Sequence, residues 1–494
     1  MCNVYTFILL GIISITLQFD QEAFPNGHIP DIIEFRRYNL DISLSLNQNV
    51  NQLQYLLKDC GDIKSTSMSI GKDKDIQISI FYDEVAIDQL VFSDISELST
   101  IDDCIDGILD GDAVLLIDGY NHALKIKSGG YPSAGISSSE NEKAYRGSNE
   151  GFCDSVKSNT ALIRKRIRSA SLKVKEQSMG AGNTGVAMLY VDGVARPHVI
   201  EMMKNKLNDL NKYLRHHKDI LVSDSGIIEQ LLSDHPFSVF PLYQTTERPD
   251  KAAMALMEGR IIILCDNSPV ALILPTFFNS FFKTADDYFV TFYSATLSRI
   301  IRYISFFLCI TLPAFYIAAI KFHPSFVPLP LLESLYETRL TVPFSVTIET
   351  LFMELSFELL REAGIRIPGP LGSTIGIVGG LIIGDAAVSA GIVSPIIVVV
   401  VAITALASFA IPVEEFASSL RVIKYMMILL ASIFGFFGII SGLFFIATTL
   451  CTTTTFGFPY LMQSVARDVY KNPSDGILRF PLRYIKNHKF TNRR

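Results

Sequence analysis

The chain carries the stretch LSRIIRYISFFLCITLPAFYIAAIKF at residues 297–322, and this stretch decides the broad class of the protein. An α-helix rises about 1.5 Å per residue, so about 20 apolar residues cross the roughly 30 Å hydrocarbon core of a bilayer. Two arginines, Arg299 and Arg302, stand near its beginning, where charged side chains meet the membrane–water interface. The stretch predicts a first membrane span.

Three more apolar stretches follow toward the carboxyl end, at residues 371–393, 396–411 and 423–450. The middle stretch is short, and we expect it to be tilted or paired tightly through Ser394 and Pro395. Four spans would leave both ends of the membrane part on one side. We therefore predict a membrane domain over residues 251–455 with about four spans.

Basic side chains are frequent in the tail at residues 456–494, and the positive-inside rule assigns such segments to the cytoplasm. The soluble half should then be cytoplasmic as well. The first 37 residues are a separate case. Their apolar run VYTFILLGIISITL lacks the basic start and the small-residue cleavage site of a signal peptide, so residues 1–37 are predicted to be an atypical hydrophobic leader.

The composition of the whole chain supports a membrane protein and excludes some functions. Of its 494 residues 49% are hydrophobic and 19% are charged, and the mean hydropathy is +0.33. The formal net charge of -6 and the lack of basic runs interleaved with aromatics argue against nucleic-acid binding. The seven cysteines show no CxxC spacing, so neither a disulfide framework nor a zinc site is predicted.

Residues 38–250 alternate helix-like and strand-like patterns, which is typical of an α/β domain. Helical spacing in VNQLQYLLKDCGD precedes strand-like runs such as IQISIFYDEV, AVLLIDG and VAMLYVDGV. We predict two small α/β subdomains, at residues 38–165 and 166–250, followed by the all-α multi-span membrane domain.

No enzyme motif stands out in this half. Gly180, Gly182 and Gly185 match GxGxxG, but a dinucleotide fingerprint follows a strand and opens a helix, whereas these glycines precede the strand VAMLYVDG. We interpret them as a turn. No cofactor and no metal site is predicted, and a membrane enzyme would need a convergent nucleophile, base or metal set.

Between the first two predicted spans, residues 343–364 (PFSVTIETLFMELSFELLREAG) form a predicted amphipathic helix. At 100° per residue Glu354, Glu358, Arg361 and Glu362 share one stripe, and Glu349 points elsewhere. Carboxylates facing lipid are costly, so the stripe faces water, protein or a pore. Two interpretations stay open: an interfacial helix with solvated charges and a Glu358–Arg361 pair, or a pore-lining or gating helix.

The second predicted span repeats glycine at every fourth position, at Gly372, Gly376, Gly380 and Gly384. A face of small residues lets helices approach closely, either in fixed packing within one subunit or along a seam where helices slide. Asp385 follows as the one acid in the middle of this span. It is a candidate ion-pathway or subunit-contact residue, and the alternative is a satisfied structural acid.

Long stretches of the chain resemble the A subunit of GerA-type germinant receptors. They are FPLYQTTERPDKAAMALMEGR (residues 240–260), ALILPTFFNSFFKTADDYF (271–289) and LREAGIRIPGPLGSTIGIVGGLIIGDAAVSAGIVSP (360–395). Weaker matches are RGSNEGF and NTALIRKRI within residues 146–167, and FGFPYL at 456–461. The family usually has GQAAV where this chain has GDAAV, so Asp385 is a departure from its pattern.

The resemblance implies a multi-pass subunit of the spore inner membrane that works with a transporter-like B subunit and a lipoprotein C subunit. It further implies that the A subunit forms homo-oligomers and an ion conduit, whose closed-to-open equilibrium nutrient binding shifts. Within the matched TERPD segment, Glu247, Arg248 and Asp250 are candidates for coupling the soluble half to the membrane half. The alternative is a capped, salt-bridged helix start.

A second function remains possible at this stage. A secondary transporter would show inverted repeats with broken helices, and the membrane half has no second copy of its glycine-rich segment. The receptor subunit is therefore the leading hypothesis, with transport as its alternative.

Overall fold

The computed structural model describes residues 40–70, 76–85, 95–127, 142, 147–233, 235–366, 379–380, 383–462 and 479. The predicted leader at residues 1–37 and most of the predicted tail lie outside this part of the chain. Two sheets with packed helices come first, and a helical half follows. This order confirms the predicted fold class of an α/β half followed by an all-α half.

The first subdomain is a five-stranded sheet with two helices packed on it. Its strands are β1 (Ile63–Ile70), β2 (Ile76–Asp83), β3 (Ile95–Leu98), β4 (Ala113–Ile117) and β5 (Ala123–Ile126). They lie in the order β1-β2-β4-β5-β3 with antiparallel neighbours. The helices are α1 (Leu46–Leu56) and α2 (Ile101–Leu109). Buried side chains such as Leu53 and Ile108 join them to Phe81 of the sheet, as the alternating pattern of the strand predicts.

The second subdomain repeats this plan with five further strands, β6 (Leu172–Met179), β7 (Thr184–Val191), β8 (Gln244–Thr246), β9 (Ile261–Cys265) and β10 (Ala271–Leu274). Their order is β6-β7-β9-β10-β8, and all neighbours are antiparallel. Every residue of β9 and β10 is buried, because helices cover both faces. The pair on one face is α3 (Val156–Arg166) and α6 (Pro249–Met257), and on the other α4 (Pro197–His216) and α5 (Ser225–Leu232).

The limits of this subdomain differ from the predicted 166–250. It begins earlier, because α3 packs on its sheet, and it continues further, because β9 and β10 complete that sheet. Both strands are short and wholly apolar, so hydropathy groups them with the membrane half. The GxGxxG glycines lie around the β6–β7 hairpin, where Gly180 has a φ of +67°. Gly180 and Gly182 lie in the predicted turn, and Gly185 lies in β7.

The two subdomains are joined through a buried ion pair. Arg164 of α3 donates from Nε to Asp62 at 2.7 Å and from Nη2 to the other carboxylate oxygen at 2.9 Å. Both side chains are almost fully buried. Beside them, the Gly61 amide donates to the Val174 carbonyl at 3.0 Å. The first subdomain therefore docks on the edge strand β6 of the second.

The carboxyl-terminal half contains α7 (Phe292–Phe322), α8 (Leu329–Arg339), α9 (Val346–Arg366), α10 (Pro395–Phe409), α11 (Glu414–Phe434) and α12 (Phe436–Thr452). Residues 383–389 form a further helical segment. By length and apolar composition α7 and α11 could cross a membrane, and α10 and α12 are shorter apolar helices. Helix α7 contains the first predicted span, α9 corresponds to the predicted amphipathic helix, and α10 to the predicted short span.

The stretch predicted as one span at residues 423–450 is instead a hairpin of two helices. The chain turns at Gly435, whose φ is +62°, a backbone conformation that favours glycine. A Cβ on Gly438 would overlap the carbonyl oxygen of Leu430, so the second helix packs closely on the first. An uninterrupted apolar run does not reveal such a turn by hydropathy. The tight approach requires glycine at both positions.

Contacts at their two ends fix the directions of the helices. Phe306 of α7 stacks with Phe416 at the start of α11, with ring centroids 6.0 Å apart. Lys321 at the end of α7 donates to the Ser432 carbonyl near the end of α11. These two helices are therefore parallel, and α12 runs back along them. After α12, Tyr460 donates to the Pro241 carbonyl at 2.9 Å, so the chain returns to the soluble half.

One hydrophobic core joins the second sheet to the helical half. It contains side chains of β7, β9 and β10, of α4 and α5, and of α7, α11 and α12. Phe281 and Phe416 stack with centroids 4.9 Å apart at its centre. A second core joins the carboxyl-terminal part of α7 and Ile428 of α11 to α8, α9, α10 and residues 383–389. The helical half is thus built around two neighbouring cores.

Candidate functional site

The charged stripe of α9 faces other helices of the same chain. Glu354 is 2% exposed, and its Oε2 lies 2.5 Å from Nζ of Lys424 on α11, which is also buried. The second carboxylate oxygen of Glu354 has no hydrogen-bond partner among the described residues. This is a charge pair enclosed between two helices, and enclosure of this kind is costly unless the pair stays intact.

Glu358 and Arg361 of the stripe also contact neighbouring helices, whereas Glu362 is exposed. Glu358 pairs with Arg421 of α11 at 3.1 Å, and Arg421 pairs in turn with the exposed Glu414 at 2.9 Å. Arg361 donates to the Ser408 hydroxyl of α10 at 2.5 Å. The sequence suggested a Glu358–Arg361 pair on the helix surface. The structure instead connects each of these residues to a different helix.

The position of the Glu354–Lys424 pair follows from the helix that carries the lysine. Lys424 lies eight residues after Phe416 and eight residues before Ser432. At 1.5 Å per residue, Lys424 lies about 12 Å along the helix from Phe416 and about 12 Å from Ser432. Among the described residues, helix α11 is one of two helices long and apolar enough to cross a membrane. The ion pair therefore lies near the middle of the helical layer.

Glu349 points away from the stripe, as predicted, and lies in a second polar cluster. One of its carboxylate oxygens accepts from the backbone N–H of Ser394 at the start of α10, and the other lies 3.2 Å from Nη1 of Arg339. The Tyr316 and Ser394 hydroxyls are buried in the same region. Two clusters of buried polar side chains therefore lie along α9, one at Glu354 and one at Glu349.

Asp385 differs from these residues because it is exposed. The exposed positions nearest to it, Ala386, Ser389 and Ala390, are small, and Ile392 in the following turn is 36% exposed. The exposed faces of α7 and α12 carry large apolar side chains such as Phe307 and Phe444. The surface around Asp385 is therefore chemically unlike the apolar surface of the other helices.

The glycine series is described only in part, because Gly372 and Gly376 lie outside the described residues. A Cβ on Gly380 would lie 3.8 Å from Phe357 of α9, and one on Gly384 would lie 3.3 Å from Val398 of α10. Both glycines therefore pack against helices of their own chain. Fixed packing within one subunit is the interpretation that these contacts favour.

The TERPD residues lie at the start of α6. Arg248 is buried and forms two hydrogen bonds with the Asp250 carboxylate, at 3.0 and 2.7 Å, and Pro249 is the first residue of the helix. The Glu247 carbonyl accepts from the Phe152 amide at 2.8 Å. These contacts stay within the soluble half and match a salt-bridged helix start. A role in domain coupling stays a prediction.

Glu142 adds a partner that the sequence did not suggest. Its carboxylate accepts from Lys251 at 2.6 Å, from the Thr246 hydroxyl at 2.5 Å and from the Glu247 amide at 2.9 Å. Burial alone would raise the pKa of Glu142, but these donors outweigh burial and lower it. A carboxylate held this firmly is a structural support for the TERPD segment.

Sequence reasoning missed the partners of the α9 stripe. Lys424 is the only charged residue in the stretch 423–450, which is the signal that could have identified it. Nothing in the local pattern marks Ser394 or Arg339 as partners of Glu349. Within the described ranges, no group of three or more His, Cys, Asp or Glu side chains could hold a metal ion.

Comparison with known proteins gives the family. The family described as Bacillus/Clostridium GerA spore germination protein matches residues 48–490. Spore germination protein KA of Bacillus subtilis is 38% identical over 374 residues, covering 75% of this chain and 67% of that protein. Spore germination protein A1 of the same organism is 37% identical over 398 residues, covering 80% of each.

A solved structure also matches part of the chain. It is the crystal structure of the N-terminal domain of the A subunit of the Bacillus megaterium spore germinant receptor GerK3, at a TM-score of 0.37 and 23% identity. The match covers 49% of this chain and 99% of the solved one. With a family match over most of its length and relatives above 35% identity, the chain belongs to the GerA spore germination protein family.

Proposed function

We propose that this chain is the membrane subunit of a nutrient-germinant receptor, and that several copies assemble around an ion conduit that opens during spore germination. Spore germination proteins KA and A1 are among its relatives, and the role in germination rests on this family membership. The family is not a known enzyme class, and we assign the chain no catalytic role. The proposal of an ion conduit rests on features of the helical half.

The observation that carries the conduit is the exposed carboxylate of Asp385. A carboxylate that faces the hydrocarbon of a bilayer is costly, by roughly 2.5–3.5 kcal/mol or more at the bilayer centre. Water between several copies of the chain would remove this cost, and the small side chains around Asp385 would leave room for it. Rings of carboxylates in channels favour cations. Asp385 would therefore face the conduit and favour cations.

The charged residues of α9 have a different role in this proposal. Glu354, Glu358 and Arg361 are engaged by helices of their own chain, which leaves them poorly placed to line a wide conduit. They would instead hold α9 in its closed position, and opening would exchange or break these contacts. Glycines at 380 and 384 would let residues 383–389 pack closely beside α9 and α10.

The surroundings of the subunit follow from the same proposal. The chain would sit in the inner membrane of the spore, with the soluble half and the tail facing the core. A transporter-like B subunit and a lipoprotein C subunit would be its partners. The chain contacts the soluble half again at Tyr460, after α12, so it would cross the membrane an even number of times. This contact supports placing the soluble half and the tail on the same side of the membrane.

Ion release from spores tests this proposal. Spores lacking the chain, challenged with a panel of nutrients, should lose cation release to at least one of them, and the wild-type chain should restore it. Complementation with Asp385→Asn should leave release reduced at normal protein level, whereas Asp385→Glu should restore it because the charge returns. Release to every nutrient without the chain would contradict the receptor role. Wild-type release with Asp385→Asn would contradict the conduit role of this residue.

A further inference from the structure

The loop between α5 and β8 presents an exposed aromatic side chain. Phe237 is 97% exposed, and its neighbours Pro236 and Val239 are exposed as well. The turn that carries them is held by two hydrogen bonds. The Ser238 amide donates to the His235 carbonyl at 2.9 Å, and the Ser238 hydroxyl donates to the Phe240 carbonyl at 2.8 Å. A short, built turn thus holds an apolar tip outward.

The base of this turn is fixed to the ends of the apolar helices. The Phe240 ring lies 6.2 Å from that of Phe416 in the first turn of α11. The next residue, Pro241, accepts through its carbonyl from the Tyr460 hydroxyl, just beyond α12. Four residues later, the Thr245 hydroxyl donates to Glu415 of α11. The turn therefore sits where the helical half meets the soluble half.

Chain geometry limits how far the tip can be from that boundary. Phe240 is three positions after Phe237, and an extended chain covers about 3.3–3.6 Å per residue, so the two Cα atoms are at most about 10 Å apart. The headgroup layer on each side of a bilayer is about 5–8 Å thick. The exposed apolar side chain of Phe409, the last residue of α10, lies close to the same boundary. Phe237 is within reach of the headgroup layer.

We propose that residues 235–239 form a membrane-surface anchor, in which the Phe237 ring enters the headgroup layer of the bilayer. This inference rests on the proposed membrane function of the helical half. Aromatic side chains concentrate at this level of membranes, where an apolar ring is partly removed from water. The anchor would fix the orientation of α5 and of the second sheet relative to the bilayer.

Lipid fits this tip better than a protein partner does. A stable protein interface buries about 800 Å² on each partner, with 20–30 residues a side. The tip offers three exposed apolar residues on a narrow turn. A bilayer needs no shape complementarity from such a tip.

Tryptophan fluorescence tests the anchor directly, because the whole chain contains no tryptophan. The full-length Phe237→Trp chain would be reconstituted in lipid vesicles with and without brominated acyl chains, whose bromine atoms quench nearby indoles. A fully exposed position accepts the larger ring without repacking. Phe444→Trp, on the exposed face of α12, is the positive control, and Tyr55→Trp, exposed in the first subdomain, is the negative control.

The anchor predicts blue-shifted emission from the Phe237→Trp variant, with a loss of emission in lipids brominated near the headgroup and a smaller loss in lipids brominated near the chain end. Emission like that of the Tyr55→Trp variant would overturn the anchor. Blue-shifted emission that bromine leaves unchanged would overturn it in favour of a protein contact. Absence of quenching in the Phe444→Trp control would instead overturn the membrane function itself, so the two failures are distinguishable.

Discussion

Removal of the positive charge at Lys424 should strongly destabilise the helical half. In Lys424→Met the carboxylate of Glu354 remains between α9 and α11 without its partner, 2% exposed and near the middle of the helical layer. Breaking a buried ion pair by removing one partner costs about 3–5 kcal/mol, because an uncompensated charge stays buried. We expect a loss of this size in the free energy of unfolding. Glu354→Leu should cost a similar amount, since it leaves the ammonium group alone.

The double variant separates the charge pair from simple packing. Replacing a buried pair by apolar side chains of similar volume is often neutral or stabilising, so Glu354→Leu with Lys424→Met should recover most of the loss. The matched control is Glu414→Gln, which removes a charge from an ion pair on the same helix. The Glu414 side chain is 68% exposed, and such pairs contribute about 1 kcal/mol or less.

The assay is a denaturing-detergent titration of the purified full-length chain, with helix content followed by circular dichroism. A Lys424→Met variant as stable as wild type, within about 1 kcal/mol, would refute the reasoning, because a carboxylate that tolerates the loss of its partner is hydrated. That outcome would return Glu354 to the pore-lining interpretation. A loss of stability in both single variants, without recovery in the double variant, would show that side-chain shape rather than charge is required.

Three further perturbations follow from other parts of the structure. Asp62→Asn should lower the free energy of unfolding by about 3 kcal/mol and speed proteolysis of the full-length chain between its subdomains, because Arg164 is then left buried without its carboxylate. Asp110→Asn, from the exposed pair with Arg168, should change neither the stability nor the proteolysis rate. Gly438→Ala should destabilise the α11–α12 hairpin by roughly 1–3 kcal/mol, since its Cβ overlaps the Leu430 carbonyl, and normal stability in the detergent titration would contradict this tight approach. Burial, and secondly the Glu415 carboxylate, raise the pKa of Glu229 from 4.5 to about 7, so between these pH values the folded chain holds a proton that the unfolded chain has lost. The free energy of unfolding should therefore fall as the pH rises from about 4.5 to about 7, and Glu229→Gln should abolish this contribution to the pH dependence.

The sequence predicted those features that depend on local periodicity. Strand-like runs identified β2, β4 and β7, and the long apolar run identified α7. The angular position of side chains on a helix predicted that Glu354, Glu358 and Arg361 share one face and that Glu349 does not. Cost arguments also predicted that this face needs water or protein against it. Each of these inferences uses residues within a few turns of one another.

Features that depend on distant residues could not be predicted in the same way. Glu354 and Lys424 are 70 positions apart, and their contact depends on how α9 and α11 cross. The hairpin at Gly435 is hidden because both of its arms are equally apolar. Strands β9 and β10 were grouped with the membrane half because a strand buried on both faces resembles a membrane segment in composition. In each case the local sequence is compatible with two different structures, and tertiary packing decides which one forms.

The two cores of the helical half give the charge pairs of α9 a functional meaning. One core joins the second sheet to α7, α11 and α12, and the other joins α7 and Ile428 of α11 to α9, α10 and residues 383–389. The pairs Glu354–Lys424 and Glu358–Arg421 add charged contacts between α9 and α11 to this apolar packing. If a signal enters through the soluble half, a change in these contacts between α9 and α11 is one route by which it would reach the Asp385 segment. Lys424→Met should therefore shift the closed-to-open equilibrium as well as stability. The double variant, which restores stability without restoring the charges, should retain the altered equilibrium if the ion pairs themselves distinguish the two states.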